Sequence, residues 1–272
     1  MKVAIVGYGV VGEAYSKLFP EAVIYDPFRH ERDASFVSAT QEQVNECDIA
    51  LVAVFTPHKE DGTLDISIVE EVIGWIDTPL ILIKSALQPG TTDYLVDKFK
   101  KKIAISVEYI GEGNYPVHFW KYPDQRDPRL HQMLVVGSPD QAVAEACAEI
   151  LWSRMSPDVK IHITSALEAE ITKLVENSYG ALKVTFINTL MSLAQKSDTS
   201  FLRIHQAWQS DPRTDSMHLR AVSFNRGWRS KCWDKDVPAL VAYANKIGAT
   251  DMAQLFQAVI DINKDHLDVN EK

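Results

Sequence analysis

The chain has 272 residues, 37 Asp and Glu against 28 Lys and Arg, a formal net charge of −9 and 46% hydrophobic residues. This composition excludes disorder, collagen-like repeats and coiled coil, and the acidic balance argues against nucleic-acid or polybasic membrane surfaces, which depend on Lys and Arg. Cys47, Cys147 and Cys232 are too scattered for a disulfide framework or a zinc site, and the histidines show no metal spacing. The expectation is a soluble, cytoplasmic protein with no metal, and the opening MKVAIVG reads as a strand rather than a signal peptide.

In chain order, β-rich runs at 2–6, 22–25, 49–55, 80–84, 103–107 and 133–136 alternate with helical patterns at 11–18, 66–75, 93–100 and 139–150. A last short run, 159–163, closes this region. Strands alternating with helices, several of them continuously apolar, predict an α/β fold, a Rossmann-like, doubly wound and mostly parallel sheet covered on both faces. From 165 to 196 apolar residues recur at helical spacing (Leu167, Ile171, Leu174, Tyr179, Leu182, Phe186, Leu190, Leu193), interrupted by Gly180. Further helix is expected at 239–246 and 252–262, with a polar loop over 210–236 and a fraying tail from His266. The reading is a dinucleotide-binding domain over 1–163 and a long-helix α-helical central domain over 164–272.

Gly7-Tyr8-Gly9-Val10-Val11-Gly12 follows the first strand and opens the first helix, and Asp26 closes the second strand. Gly7 permits the tight turn, Gly9 lets backbone approach a pyrophosphate, and Gly12 allows close helix packing. A carboxylate at Asp26 accepts from both ribose hydroxyls and repels a 2′-phosphate, which favours NAD, while Arg29 and Arg32 keep NADP open. The bland alternative is a glycine-rich turn that has lost its ligand.

Further motifs follow: Thr56-Pro57 with Asp61-Gly62-Thr63-Leu64-Asp65-Ile66-Ser67, Lys84-Ser85-Ala86-Leu87-Gln88-Pro89-Gly90-Thr91-Thr92, Glu108-Tyr109-Ile110-Gly111-Glu112-Gly113, Ala169 to Asn177, and Cys232-Trp233-Asp234-Lys235-Asp236. Their order and spacing resemble the UDP-glucose/GDP-mannose 6-dehydrogenase family of nucleotide-sugar dehydrogenases, from residue 1 to about 248. The resemblance implies oxidation of a sugar C6 from alcohol to acid with two NAD. It implies Cys232 as the nucleophile that carries a thiohemiacetal and then a thioester. Lys173 and Asn177 would stabilise the oxyanion, Asp236 would act through water on the alcohol proton, and Glu108 and Glu112 would serve thioester hydrolysis. It further implies cofactor contacts from Thr56, Pro57, Ser85 and Glu112, substrate contacts from Tyr109, Gly227 and Arg213, and a homodimer built on the long helix.

Each residue also has a plain reading. Cys232 reads as an inert thiol, Lys173 and Asn177 as a solvated helix face, Asp236 as an N-cap, and Glu108 and Glu112 as loop carboxylates. The sequence departs from the family in three places. Ala86 replaces a threonine that orients water, with Ser85 or Thr91 as substitutes; Trp228-Arg229-Ser230-Lys231 and Trp233-Asp234 alter the cysteine loop; and the chain stops before a third, nucleotide-binding domain. Tyr115, Phe119, Trp120 and Tyr122 in 114–128 read either as a replacement platform or as pins for a long loop. Besides the four-electron reaction, a two-electron hydroxyacid or sugar-phosphate dehydrogenase and a catalytically degenerate NAD-binding dimer remain open.

Overall fold

The computed structural model describes residues 1–110, 126–214, 217–219, 221 and 226–270. The chain divides into two compact units, Met1–Pro57 with Leu64–Lys173 and His58–Thr63 with Leu174–Lys272.

The first unit contains β1 (Val3–Val6), α1 (Val10–Leu18), β2 (Val23–Tyr25), α2 (Gln41–Asn45), β3 (Ile49–Val52), α3 (Ser67–Trp75), β4 (Leu80–Ile83), α4 (Thr91–Phe99), β5 (Ile103–Val107), β6 (Met133–Gly137), α5 (Gln141–Trp152) and β7 (Lys160–Thr164). They form one seven-stranded sheet in the order β2-β1-β3-β4-β5-β6-β7. Neighbours run parallel except β5 and β6, which pair antiparallel with Ser106 opposite Val136.

Alternation along each strand divides the core. Ala4, Val6, Ala50, Val52, Ile81 and Ile83 face α3 and α4, whereas Val3, Ile5, Ile49, Leu51 and Leu82 face α1 and α5. Both faces are covered, so β1, β3 and β4 carry no polar residue and β5 only Ser106, and each buried Ile or Leu contributes roughly 1.5–3 kcal/mol. Strand order reverses between β2 and β3 around β1, and the loops at the carboxyl ends there are where such folds bind ligands.

Several expected boundaries shift. β3 ends at Val52 rather than at 55: the Ala53 N–H still reaches the Val6 carbonyl at 2.8 Å, but β1 gives way to the glycine turn beyond it. α4 begins at Thr91 because its N-terminus is capped from outside, by Glu170.

α6 (Ala166–Lys196) is continuous through 31 residues and passes from the first unit into the second. The second unit then has α7 (Phe201–Gln209), α8 (Trp233–Ile247) and α9 (Thr250–Asn270). α8 starts earlier than the polar sequence suggests, and Asp236 lies inside it rather than capping it; Cys232 holds the N-cap position and the Ser230 hydroxyl accepts from the Trp233 N–H at 2.9 Å. α9 runs past the expected fray, because His266 is buried with Nε2 3.4 Å from the Thr189 hydroxyl. Among the described residues no helix is long and apolar enough to cross a membrane, and no group of His, Cys, Asp and Glu could hold a metal ion.

Candidate functional site

In the first unit the glycine-rich loop leaves β1 with Gly7 at φ +92°, its N–H donating to the Tyr25 carbonyl at 2.9 Å. A Cβ on Gly7 would lie 2.5 Å from the Ala53 carbonyl oxygen, and one on Gly12 would collide with the Gly7 carbonyl. Space around Gly9 is open. Gly9 caps α1 without a side chain, so the N–H groups of Val10 and Val11 in the first turn are left for an anion. Asp26 accepts from the Tyr8 N–H at 2.8 Å and the Phe28 N–H at 3.1 Å, which fixes its carboxylate beside the loop. An open glycine at a helix N-terminus with a fixed carboxylate at the end of β2 fits a dinucleotide.

The loops after β3 and β4 are tied together. The Thr56 hydroxyl donates to the Ala86 carbonyl at 2.9 Å, and the Ser85 hydroxyl donates to the Val54 carbonyl at 2.6 Å. Pro57 ends the first-unit stretch of this loop. The Thr91 hydroxyl donates to the Gln88 carbonyl at 2.5 Å. The two hydroxyls offered as replacements for the missing threonine at Ala86 therefore have their protons committed to backbone carbonyls, Ser85 to the loop after β3 and Thr91 within its own loop.

At the ends of β4 and β5 lies a buried ionic cluster. The Lys173 ammonium donates to the Glu108 carbonyl at 2.6 Å and lies 3.2 Å from its carboxylate, and it sits over the Tyr109 ring at 5.3 Å. The Ile110 N–H donates to the other Glu108 oxygen at 2.6 Å. Burial alone would raise the Glu108 carboxyl; the Lys173 charge, the Ile110 N–H and the Lys84 charge together hold it below the ordinary range. Lys84, 2% exposed, donates to the Ser106 hydroxyl at 2.9 Å and lies 4.4 Å from the Tyr15 ring centroid. Burial brings its ammonium down to about 7, with Glu108 opposing and Lys173 reinforcing the shift. The solvated-face reading of Lys173 is thus replaced by a buried ion pair.

Glu170 is fully buried. It accepts from the Gly90 N–H at 2.5 Å, the Thr92 N–H at 2.7 Å and the Thr92 hydroxyl at 2.7 Å. Burial raises its carboxyl to about 7 against those three hydrogen bonds, and Asp93 adds to the rise. Sequence reasoning missed Lys84 and Glu170 as constituents of the site. The one signal for Lys84 was a lysine ending an apolar strand, and for Glu170 an acid three residues before Lys173.

In the second unit the Asn177 amide donates to Asp236 at 2.5 Å, and the Lys235 ammonium donates to the other oxygen at 2.6 Å. Asp236 is wholly buried, and its N–H donates to the Cys232 carbonyl at 2.9 Å. Cys232 is half-buried at the N-cap of α8, whereas Cys47 and Cys147 are buried and the Cys147 thiol is pushed up to about 12 by burial.

Two tryptophans hold the cysteine loop. Trp228 donates from its ring N–H to the Thr185 hydroxyl at 3.0 Å and from its backbone to Asn263 at 2.8 Å. Trp233 packs closely enough on α6 that a Cβ at Gly180 would lie 2.7 Å from the edge of its indole. A Cβ at Gly227 (φ +78°) would lie 2.7 Å from the Asn263 side-chain oxygen, so packing on α9 already requires glycine there. Arg213 is exposed and paired with Asp211 at 2.5 Å. Glu112 and the aromatic residues Tyr115, Phe119, Trp120 and Tyr122 lie outside the described residues.

Residues 21–150 match the NAD binding domain model of the UDP-glucose/GDP-mannose dehydrogenase family, and residues 167–265 match the central domain model of the same family. The chain is similar to a UDP-glucose 6-dehydrogenase of Rickettsia bellii, 27% identical over 248 residues, covering 87% of this chain and 53% of that protein. It spans about half the length of the curated relatives it matches. Its fold resembles a UDP-glucose dehydrogenase from Pyrobaculum islandicum, with TM-score 0.74, 22% identity, and coverage of 97% of this chain and 68% of that one. It also resembles the 3-hydroxyisobutyrate dehydrogenase of Mycobacterium tuberculosis, with TM-score 0.67, 15% identity, and coverage of 97% and 94%. At these identities the structural likeness carries the fold alone.

Proposed function

The chain belongs to the UDP-glucose/GDP-mannose dehydrogenase family, and on that premise we propose that it oxidises the C6 alcohol of a nucleotide sugar to the acid in two NAD-linked steps. Bound NAD supplies the hydride acceptor for both. Gly7, Gly9, Val10, Val11 and Gly12 would hold its pyrophosphate at the N-terminus of α1, Asp26 its ribose hydroxyls, and Thr56, Pro57, Ser85 and Glu112 its nicotinamide half.

Asp236, oriented by Asn177 and Lys235, takes the alcohol proton through a water. The Cys232 thiolate then adds to the aldehyde carbon, and the C–S bond leaves an alkoxide whose charge Lys173 and Asn177 stabilise, one turn apart on α6. The second oxidation turns this adduct into a thioester. Water attacks its carbon with Glu108 accepting the proton, the C–S bond breaks, the acid leaves and Cys232 recovers its thiol. Tyr109, Gly227 and Arg213 would line the sugar and phosphate.

The observation that carries this reading is the buried Asn177–Asp236 pair, held also by Lys235 and one turn from a half-buried Cys232 whose carbonyl accepts from the Asp236 N–H. A reducing, cytoplasmic setting suits chemistry that needs a free thiol. The test is to incubate the protein with NAD and a panel of nucleotide sugars and count NADH per sugar consumed. Two NADH with acid as product is expected, and Cys232→Ser should stop the reaction before the acid. Acid formation by Cys232→Ser would sink the thioester route.

A two-electron oxidation is the second reading. It is favoured by Ala86 together with Ser85 and Thr91, whose hydroxyl protons are already committed. One NADH per substrate would select it.

The second copy in a homodimer would cover α6. Val175, Tyr179, Phe186 and Leu193 are exposed there, and with Leu182 and Thr189 they alternate at spacings of four and three, the pattern of a helix seam. Light scattering that returned the mass of one chain at micromolar concentration would overturn the dimer.

A further inference from the structure

Glu13, in the first turn of α1, is unusual where a pyrophosphate is expected, since a carboxylate there opposes the anion that the helix end attracts. Its partner is Arg29, whose Nη2 lies 2.5 Å from the Glu13 carboxylate. The Arg29 Nη1 donates to the Tyr8 carbonyl at 3.0 Å, and the guanidinium carbon lies 5.4 Å from the centre of the Tyr8 ring. The Tyr8 ring in turn stacks on Phe36, with centroids 5.5 Å apart. Tyr8 also donates its N–H to Asp26 at 2.8 Å, so the Asp26 carboxylate and the Arg29 guanidinium are fastened to the two ends of one residue. The Arg29 N–H donates to the Asp26 carbonyl at 3.2 Å, which keeps the two neighbours at the end of β2. Among the described residues, the buried Nε–H of Arg29 meets no acceptor.

An arginine beside the ribose carboxylate is what a 2′-phosphate would use, because the guanidinium presents a planar set of donors to phosphate oxygens. Here that set is held toward α1 by Glu13. We propose that Glu13 is a specificity-determining residue: by engaging Arg29 it withholds that guanidinium from a ribose 2′-phosphate, and so favours the unphosphorylated dinucleotide at the site. The selectivity has two parts. Asp26 repels the 2′-phosphate, and Glu13 removes the cation that would attract it. The ion pair also neutralises Glu13, so that its charge does not repel the pyrophosphate.

The inference rests on the dinucleotide reading of the glycine loop, and its test separates the two. Dissociation constants of NADH and NADPH are measured by fluorescence titration for the wild type, Glu13→Gln, Arg29→Ala and the double variant. The wild type is expected to prefer NADH. Glu13→Gln should narrow that preference by about fivefold, the scale of a half-exposed ion pair redirected to a new anion. The double variant should lose the narrowing, because it acts through Arg29. Taking the ratio of the two ligands cancels any effect of the Glu13 charge on the shared pyrophosphate. An unchanged ratio in Glu13→Gln, or a narrowing that persists without Arg29, overturns the proposal. A wild type that binds neither dinucleotide overturns the cofactor reading itself, and the proposal with it.

Discussion

The glycine-rich loop after β1 and the cysteine loop before α8 both depend on glycines that leave no room for a side chain, but they make way for different things. Gly7 and Gly12 make way for backbone, the Ala53 and Gly7 carbonyls. Gly180 makes way for the Trp233 indole, and Gly227 for Asn263 and Leu267. In the first loop the Gly12 constraint is five residues long, so it is written as spacing, whereas Gly7 meets the Ala53 carbonyl just past β3. In the second the constraint joins positions 53 and 36 residues apart through side chains, and no local pattern records it. The N-terminus of α4 belongs with the second kind: its cap, Glu170, arrives from 78 residues away.

The contrast can be broken at its strong end first. Gly12→Ala drives a Cβ into a carbonyl that cannot move without undoing the turn, and should cost about 3 kcal/mol or more in urea unfolding, with NADH binding lost. Gly180→Ala meets the far edge of a side chain instead. It should cost about 1–2 kcal/mol, and Trp233→Phe in the same chain should recover most of that; additive losses would show that the indole is not what Gly180 accommodates.

Glu170 tests the tertiary cap through pH. Its folded carboxyl is raised to about 7, above its unfolded value, so the native state holds a proton that the unfolded state has released. Its contribution is therefore present at low pH and is lost as pH rises through about 7. Wild-type stability should carry a component falling by roughly 1 kcal/mol or more between pH 5 and pH 8, and Glu170→Gln should lack that component. An identical pH slope in both proteins would remove Glu170 as its source. The smallest effect on stability belongs to Gly9→Ala. The space around Gly9 is open and its φ of −83° suits any residue, so unfolding should shift by no more than about 0.5 kcal/mol while NADH affinity falls. Unchanged affinity would mean that no ligand approaches that backbone.

Much of the architecture was legible because its causes are local. The apolar runs at 49–52 and 80–83, and 103–107 broken only by Ser106, alternate with helical patterns as strands buried on both faces do, and the period of 165–196 named α6 almost to the residue. Polar segments misled: 233–236 read as loop, yet the α8 helix forms there because Asn177 and Lys235 pay the desolvation of Asp236. His266 read as a fraying tail, yet α9 continues because that side chain is buried. Of the candidate residues, Lys173, Glu108, Asn177, Asp236 and Cys232 were legible in the sequence, whereas the buried Lys84 and Glu170 and the Lys235 partner of Asp236 were not.

By itself the sequence determined the order of strands and helices, the glycine turn and the identity of the family, because backbone sterics and hydrophobic period act over a few residues. Only the tertiary structure decided which charges neighbour which. Burial of Lys84, Glu108 and Glu170, and the hold of Glu13 on Arg29, arise between elements distant in sequence, and the strength of a charge depends on how far the surrounding chain excludes water.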